Sequence, residues 1–207
     1  MREQSKVLDD PAALQRIERL AAALVQQRRR REIEYTFALL DDPQINACSI
    51  LGGHIFVNKG LLDFTVSDAE LQSVLGHEIG HVELKHCARR TTYAVRTSEI
   101  TSVTMGNLAS MLHSLISVGY SEDEEFDADE WGARRMMSIG RSDEEILSFT
   151  RRFNKFLSDQ EIEADAAAKP DTVVGAVHQQ IGDHFQTHPP GEERLRRLES
   201  VTSTRKR

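Results

Sequence analysis

His77-Glu78-Ile79-Gly80-His81 sets two imidazoles four residues apart, with a carboxylate beside the first. On a helix, positions i and i+4 share a face, so both rings can reach one ion. Glu78, displaced by one residue, can approach a water held by that ion without binding the ion itself. Zinc suits this donor pair: water on zinc ionises at about pH 7, and a neighbouring carboxylate can take the proton. The chemistry implied is metal-assisted hydrolysis. Gly80 adds a second signal. Glycine costs a helix up to about 1 kcal/mol relative to alanine, a cost that makes sense where another element must pack close behind a metal.

A catalytic zinc needs a third protein ligand and an open fourth position. The run Ser121 to Asp129 offers the carboxylates Glu122, Asp123, Glu124, Glu125, Asp127 and Asp129. Glu125 and Asp129 again stand at i and i+4, so one can bind the ion while the other accepts a ring N–H from a ligand histidine. Ala128, Gly132 and Ala133 are small and would let this helix lie against the first. An acidic helix start also complements the helix dipole, and spacing alone does not choose Glu125 over Glu124 or Glu122. His54, His86, His113, His178 and His184 read as structural or surface residues; His86 could support the site from the same helix but falls off the face shared by His77 and His81.

These side chains need elements to position them. Ser67-Asp68-Ala69-Glu70 is a capping-box pattern opening a helix that carries Leu71, Leu75, Ile79 and Val82 as an apolar stripe. Ser121 and Ser142 repeat the start signal, and Gly140 separates the two helices they open. A further helix is predicted over Pro11 to Arg31, with Arg28 to Arg31 at its C-terminal end, where cations suit the dipole. A last short helix follows Gly191. Tyr35 to Leu40, Cys48 to Leu51 and His54 to Val57 read as short strands, the last two joined by the Gly52-Gly53 turn. The fold class expected is α+β: a mainly helical domain with a small, mostly antiparallel sheet. The organisation expected is an N-terminal helical segment over 1–32, a catalytic domain over 33–201 and a tail over 202–207.

Bulk composition narrows the partners. The 207 residues carry a net charge of -7, which disfavours nucleic acid, since phosphate binding wants a basic face. Two cysteines, Cys48 and Cys87, read as buried thiols rather than a disulfide framework. Residues 100–121 lack charge apart from histidine, but their Ser, Thr and Asn content is too polar for a lone transmembrane span. A helix covering the site, lying on a membrane surface or simply packed in the core fits better. The start of the chain shows no apolar signal core; the compartment expected is cytoplasmic as written, or periplasmic or membrane-associated if a signal segment has been removed.

The sequence resembles the HtpX-like and CAAX-prenyl-protease-like zinc metallopeptidases of the gluzincin clan. Four blocks carry the resemblance: Asn46-Ala47 with Gly52-Gly53, Ile55 to Val57 and Gly60 to Leu62; Glu70 to His81 with His86; Tyr120-Ser121 with Glu125 to Asp129; and Thr187 to Pro190 with Glu193-Arg194. It implies one zinc per chain held by His77, His81 and Glu125, with Glu78 as general base and Asp129 as the supporting carboxylate. His188 and Arg194 would stabilise the oxyanion or organise the cleft, or His188 would bind the zinc in a resting state. Asn46 and the strand His54, Ile55, Phe56 and Val57 would line a groove where an extended polypeptide adds as a strand. The family usually has Arg after the serine matching Ser121; Glu122 stands here, which touches a local ion pair but no ligand. The long membrane segments of embedded members are missing, so the resemblance implies a compact soluble form.

Overall fold

The computed structural model describes residues 6–26, 28–96, 119–167 and 191–204. His188 and all but the end of the 100–121 segment lie outside them, as does the second half of the tail. Seven helices and three strands are described: α1 Pro11–Val25, β1 Thr36–Leu40, β2 Ala47–Ile50, β3 His54–Asn58, α2 Lys59–Phe64, α3 Asp68–Glu83, α4 His86–Arg96, α5 Glu122–Ser138, α6 Asp143–Ala167 and α7 Glu192–Ser203. None of the described helices is long and apolar enough to cross a membrane.

The α3 helix is the axis of the molecule. Ser67 caps it by accepting from the Glu70 N–H, and Leu71, Leu75 and Ile79 are wholly buried. Residues from α1 (Ile17, Leu20, Ala21, Leu24), the sheet (Leu39, Ala47, Ile55, Val57), α5 (Ala133, Met136) and α6 (Ile146, Leu147) close one core around that stripe. The Ser67 box is only half formed, because the Glu70 carboxylate accepts from Val66 N–H and from Arg152 instead of from its own cap. At α5 both halves of the box are present.

The first helix ends at Val25, short of the basic run. That run serves another helix: Arg30 Nη1 donates to the Val82 carbonyl at the C-terminal end of α3, and the Arg29 and Arg30 N–H groups donate to Glu83. The Arg30 guanidinium therefore complements the terminus of α3.

The sheet is mixed, in the order β1-β3-β2. The Gly52-Gly53 turn, with φ of 100° and 90°, makes the antiparallel β2–β3 pair, and β1 pairs parallel to β3. β3 is thus central. The strand His54 to Val57, expected to accept a substrate strand, has a partner on each side and no ladder to offer. The edge facing α3 and α4 belongs to β2. Asn58 N–H donates to the Asn46 carbonyl, which sets the alternation: Ala47 and Ser49 turn their main-chain groups outward, away from β3.

Candidate metal centre and active site

Close approach of α3 and α5 builds the centre. A Cβ added to Gly80 would stand 2.9 Å from the Ala128 carbonyl oxygen, and one added to Gly132 would stand 3.0 Å from His77 N. Only residues of this size let the two backbones meet here. Glu125, one turn into α5, then faces the imidazoles.

His77 Nε2 and His81 Nε2 are 3.0 Å apart. Each lies 3.4 Å from a Glu125 carboxylate oxygen. One donor atom from each residue falls within 4.8 Å of the others, and all three residues are buried. Two imidazole nitrogens and a carboxylate oxygen form a donor set known for catalytic zinc, so the residues fit the ion. Position distinguishes the carboxylates that spacing left open. Glu124 turns back to cap Ser121 and pairs with Arg89, Glu122 is exposed, and Glu125 is fully buried against the histidines.

The outer nitrogens of both rings are engaged. His77 Nδ1 lies 2.8 Å from Asp129 Oδ1. Arg194, from α7, grips Asp129 at 2.7 Å through both Nε and Nη2 and reaches Glu125 at 3.0 Å through Nη1. Burial resists a positive charge on His77, but the carboxylates of Glu125 and Asp129 outweigh it and raise its pKa. The same field favours any bound cation. Burial also resists ionisation of Asp129, yet Arg194 and His77 hold its carboxyl below the ordinary range. The Arg194 guanidinium bonds the carboxylates of both Asp129 and Glu125, which suits organising the cleft, one of the two roles the resemblance implies, better than contact with an oxyanion.

His81 Nδ1 lies 2.9 Å from His86 Nδ1. With His81 Nε2 turned toward the donor cluster, its Nδ1–H donates and His86 accepts. Tyr120 stacks on the His81 ring, centroids 3.7 Å apart and planes 11° apart, and Arg90 lies over the other face of Tyr120 at 4.2 Å. The sequence alone assigns no role to Tyr120 or Arg90; the signals for Tyr120 were its place in the third block of the resemblance and its position immediately before the cap of α5. Glu78 is 1% exposed and borders a cleft that runs along α3 toward α6.

Asn46 is buried at the start of β2, with Ala47 on the wall of that cleft. Ile55, Phe56 and Val57 are buried in the central strand, and His54, at its exposed end, pairs with Thr36.

The family model that matches the chain is peptidase family M48, over residues 10–202. The chain is 27% identical to a putative beta-barrel assembly-enhancing protease of Vibrio cholerae over 212 residues, covering 94% of this chain and 40% of that protein. It is 24% identical to the mitochondrial metalloendopeptidase OMA1 of Arabidopsis thaliana over 201 residues, covering 95% of this chain and 37% of the relative. The metalloprotease YcaL of Escherichia coli is 25% identical over 195 residues, 88% of this chain and 67% of YcaL. The chain thus spans about 40% of the length of the first of these relatives.

Proposed function

The chain belongs to peptidase family M48, and from that premise we propose that it is a zinc metalloendopeptidase cutting extended or unfolded polypeptides. The observation that carries the reading is the convergence of His77, His81 and Glu125 on one point. Zinc, when bound there, supplies Lewis acidity toward the scissile carbonyl and toward water.

Glu78 takes the proton from the attacking water and delivers it to the leaving amine. Its place on α3, one residue past His77, supports that role. His77 is oriented by Asp129, Asp129 by Arg194, and His81 by His86. Arg194 is therefore a positioning residue in this reading. Oxyanion stabilisation falls to His188, which matches the family block Thr187 to Pro190.

The substrate backbone pairs with the outward main-chain groups of β2 at Ala47. Arg90 Nη2 already donates to the Ser49 carbonyl at 2.8 Å, so strand addition centres on Ala47.

The test is metal content together with turnover. Protein purified without an affinity tag should hold one equivalent of zinc and cleave casein, and a chelator should stop it. Glu78→Gln should keep the zinc and lose about 10²- to 10⁴-fold in kcat, whereas Glu125→Ala should lose the zinc. Wild-type protein that takes up less than half an equivalent of zinc on addition sinks the reading.

A further inference from the structure

On the side of His81 away from His77, the Tyr120 ring lies face-on against the imidazole, and the Arg90 guanidinium of α4 covers the face of Tyr120 that His81 leaves. We propose that Arg90 is a positioning residue that acts through Tyr120 on His81 and, through its bond to the Ser49 carbonyl, marks where substrate pairing on β2 ends. The second half rests on the preceding reading of the site as a peptidase; the first rests on the metal-binding residues alone.

The placement of Arg90 is the first argument. It is 4% exposed, and its Nε and Nη1 are buried with no hydrogen-bond partner among the described residues. Idle donors on a buried cation are destabilising, and an apolar side chain of similar volume would be more stable there. What the guanidinium does make is a bond from Nη2 to the Ser49 carbonyl at 2.8 Å and a contact with the Tyr120 ring, 4.2 Å from its centroid. Both contacts lead to the site, one to the strand that receives substrate and one to a metal ligand.

Geometry is the second. The bond between His81 Nδ1 and His86 fixes where the edge of the His81 ring points, but it does not fix the tilt of the ring about that bond. A near-parallel face with centroids 3.7 Å apart does. Tyr120 is itself held at its hydroxyl by Cys87 Sγ, 3.4 Å away, and Arg90 presses it from behind. On the strand side, Ser49 lies two residues past Ala47 and, like it, turns its main-chain groups outward from β3. Nη2 therefore stands where the N–H of a longer paired strand would stand. One side chain thereby sets how far a bound peptide pairs and how the neighbouring ligand ring is turned.

The test uses the full chain. Its first probe is cobalt(II) alone, whose visible absorption reads the arrangement of the ligands without substrate. Arg90→Met keeps the stem and removes plane, charge and donor; Arg90→Lys keeps a charge and a donor but no plane. Both should shift the cobalt spectrum and weaken zinc binding about tenfold in chelator competition, and Tyr120→Leu should do the same. The second probe is a labelled extended peptide, read by fluorescence anisotropy on zinc-loaded Glu78→Gln protein. Adding Arg90→Met should tighten its binding about 2- to 10-fold, the usual net contribution of one further hydrogen bond, whereas adding Arg90→Lys should leave the affinity as it was. With Glu78 intact, Arg90→Met should lower both KM and kcat. A merely structural defect would raise KM as kcat falls. An unshifted cobalt spectrum, or a peptide affinity that is unchanged or weaker, overturns the assignment when seen in Arg90→Met protein that is folded by circular dichroism. If that variant does not fold, a wild-type cobalt spectrum in folded Arg90→Lys protein overturns it as well. Protein that takes up cobalt and shows every one of these shifts in spectrum and affinity, yet cleaves no peptide as wild type, would leave Arg90 assigned and sink the peptidase reading instead.

Discussion

Each ligand imidazole is held by a partner of different charge. His77 has an anionic carboxylate backed by a cation, while His81 has a neutral ring, His86. Partners of this kind are worth about 10- to 100-fold in metal affinity. Asp129→Asn should therefore weaken zinc binding by about that factor, measured by competition with a chromophoric chelator. His86→Asn, which keeps an acceptor oxygen, should weaken it less than His86→Phe, which keeps only bulk. Equal losses for the two His86 variants would reduce that residue to a packing role. That His77 and His81 share one face was legible in the sequence because a helical i, i+4 pattern is local. His86 was legible only through the resemblance, because a continuous helix would carry it off the face of His77 and His81. The chain breaks instead at Leu84 and Lys85, the latter at φ 65°. The next helix then begins with His86 turned back toward His81.

The site depends on how near α3 and α5 can lie. Gly80 and Gly132 mark that crossing, and Gly80 with the small residues of α5 was readable as a close approach. Gly80→Ala would place a methyl 2.9 Å from a backbone oxygen that cannot step aside. Overpacking of this kind costs about 1–3 kcal/mol, more than the roughly 1 kcal/mol gained in helix propensity. The variant should melt lower in calorimetry and bind zinc more weakly, because the helix bearing Glu125 must move out. A variant as stable as wild type, with zinc affinity unchanged, would mean that the crossing is not tight. Strand order was the less legible part of the fold. The Gly52-Gly53 turn announces the β2–β3 hairpin, but nothing local tells β1 to pair parallel to β3, and that pairing makes β3 central and leaves β2 at the edge. The end of α1 was obscured likewise: four arginines continue a helical composition, and the bonds of Arg29 and Arg30 to Glu83 and Val82 are tertiary.

Across the whole molecule, α3 is held in place by ion pairs to distant parts of the chain at its N-terminal end. Asp68 accepts from Arg16 and Arg19 of α1, and Glu70 accepts from Arg152 of α6, whose guanidinium also lies over the Phe64 ring. Burial works against ionised Glu70, but Arg152 and the Val66 N–H outweigh it and lower its pKa. For Asp68 the Arg16 bond is the main cause of a shift in the same direction. A carboxylate whose pKa is lower folded than unfolded contributes stability that is fully present above its ordinary pKa and is lost as pH falls through the folded value. The contribution of these two carboxylates to the melting temperature should thus hold steady from neutral pH to about 5 and fall on further acidification, below the ordinary carboxylate pKa of about 4. Arg152→Met separates this pair from the general acid response. It leaves Glu70, only 2% exposed, without its guanidinium. Because Arg152 itself is about one-third exposed, the cost falls somewhat below that of a fully buried pair, at about 2–4 kcal/mol. That corresponds to a drop on the order of 10 °C in Tm at pH 7. The variant should also lose part of the acid sensitivity, since Glu70 then has less reason to remain ionised in the folded state. If Arg152→Met instead melts with the wild-type dependence on pH, the anchoring of α3 must lie in its apolar stripe alone, and the ion pairs at its start contribute nothing to holding His77 and His81 in place.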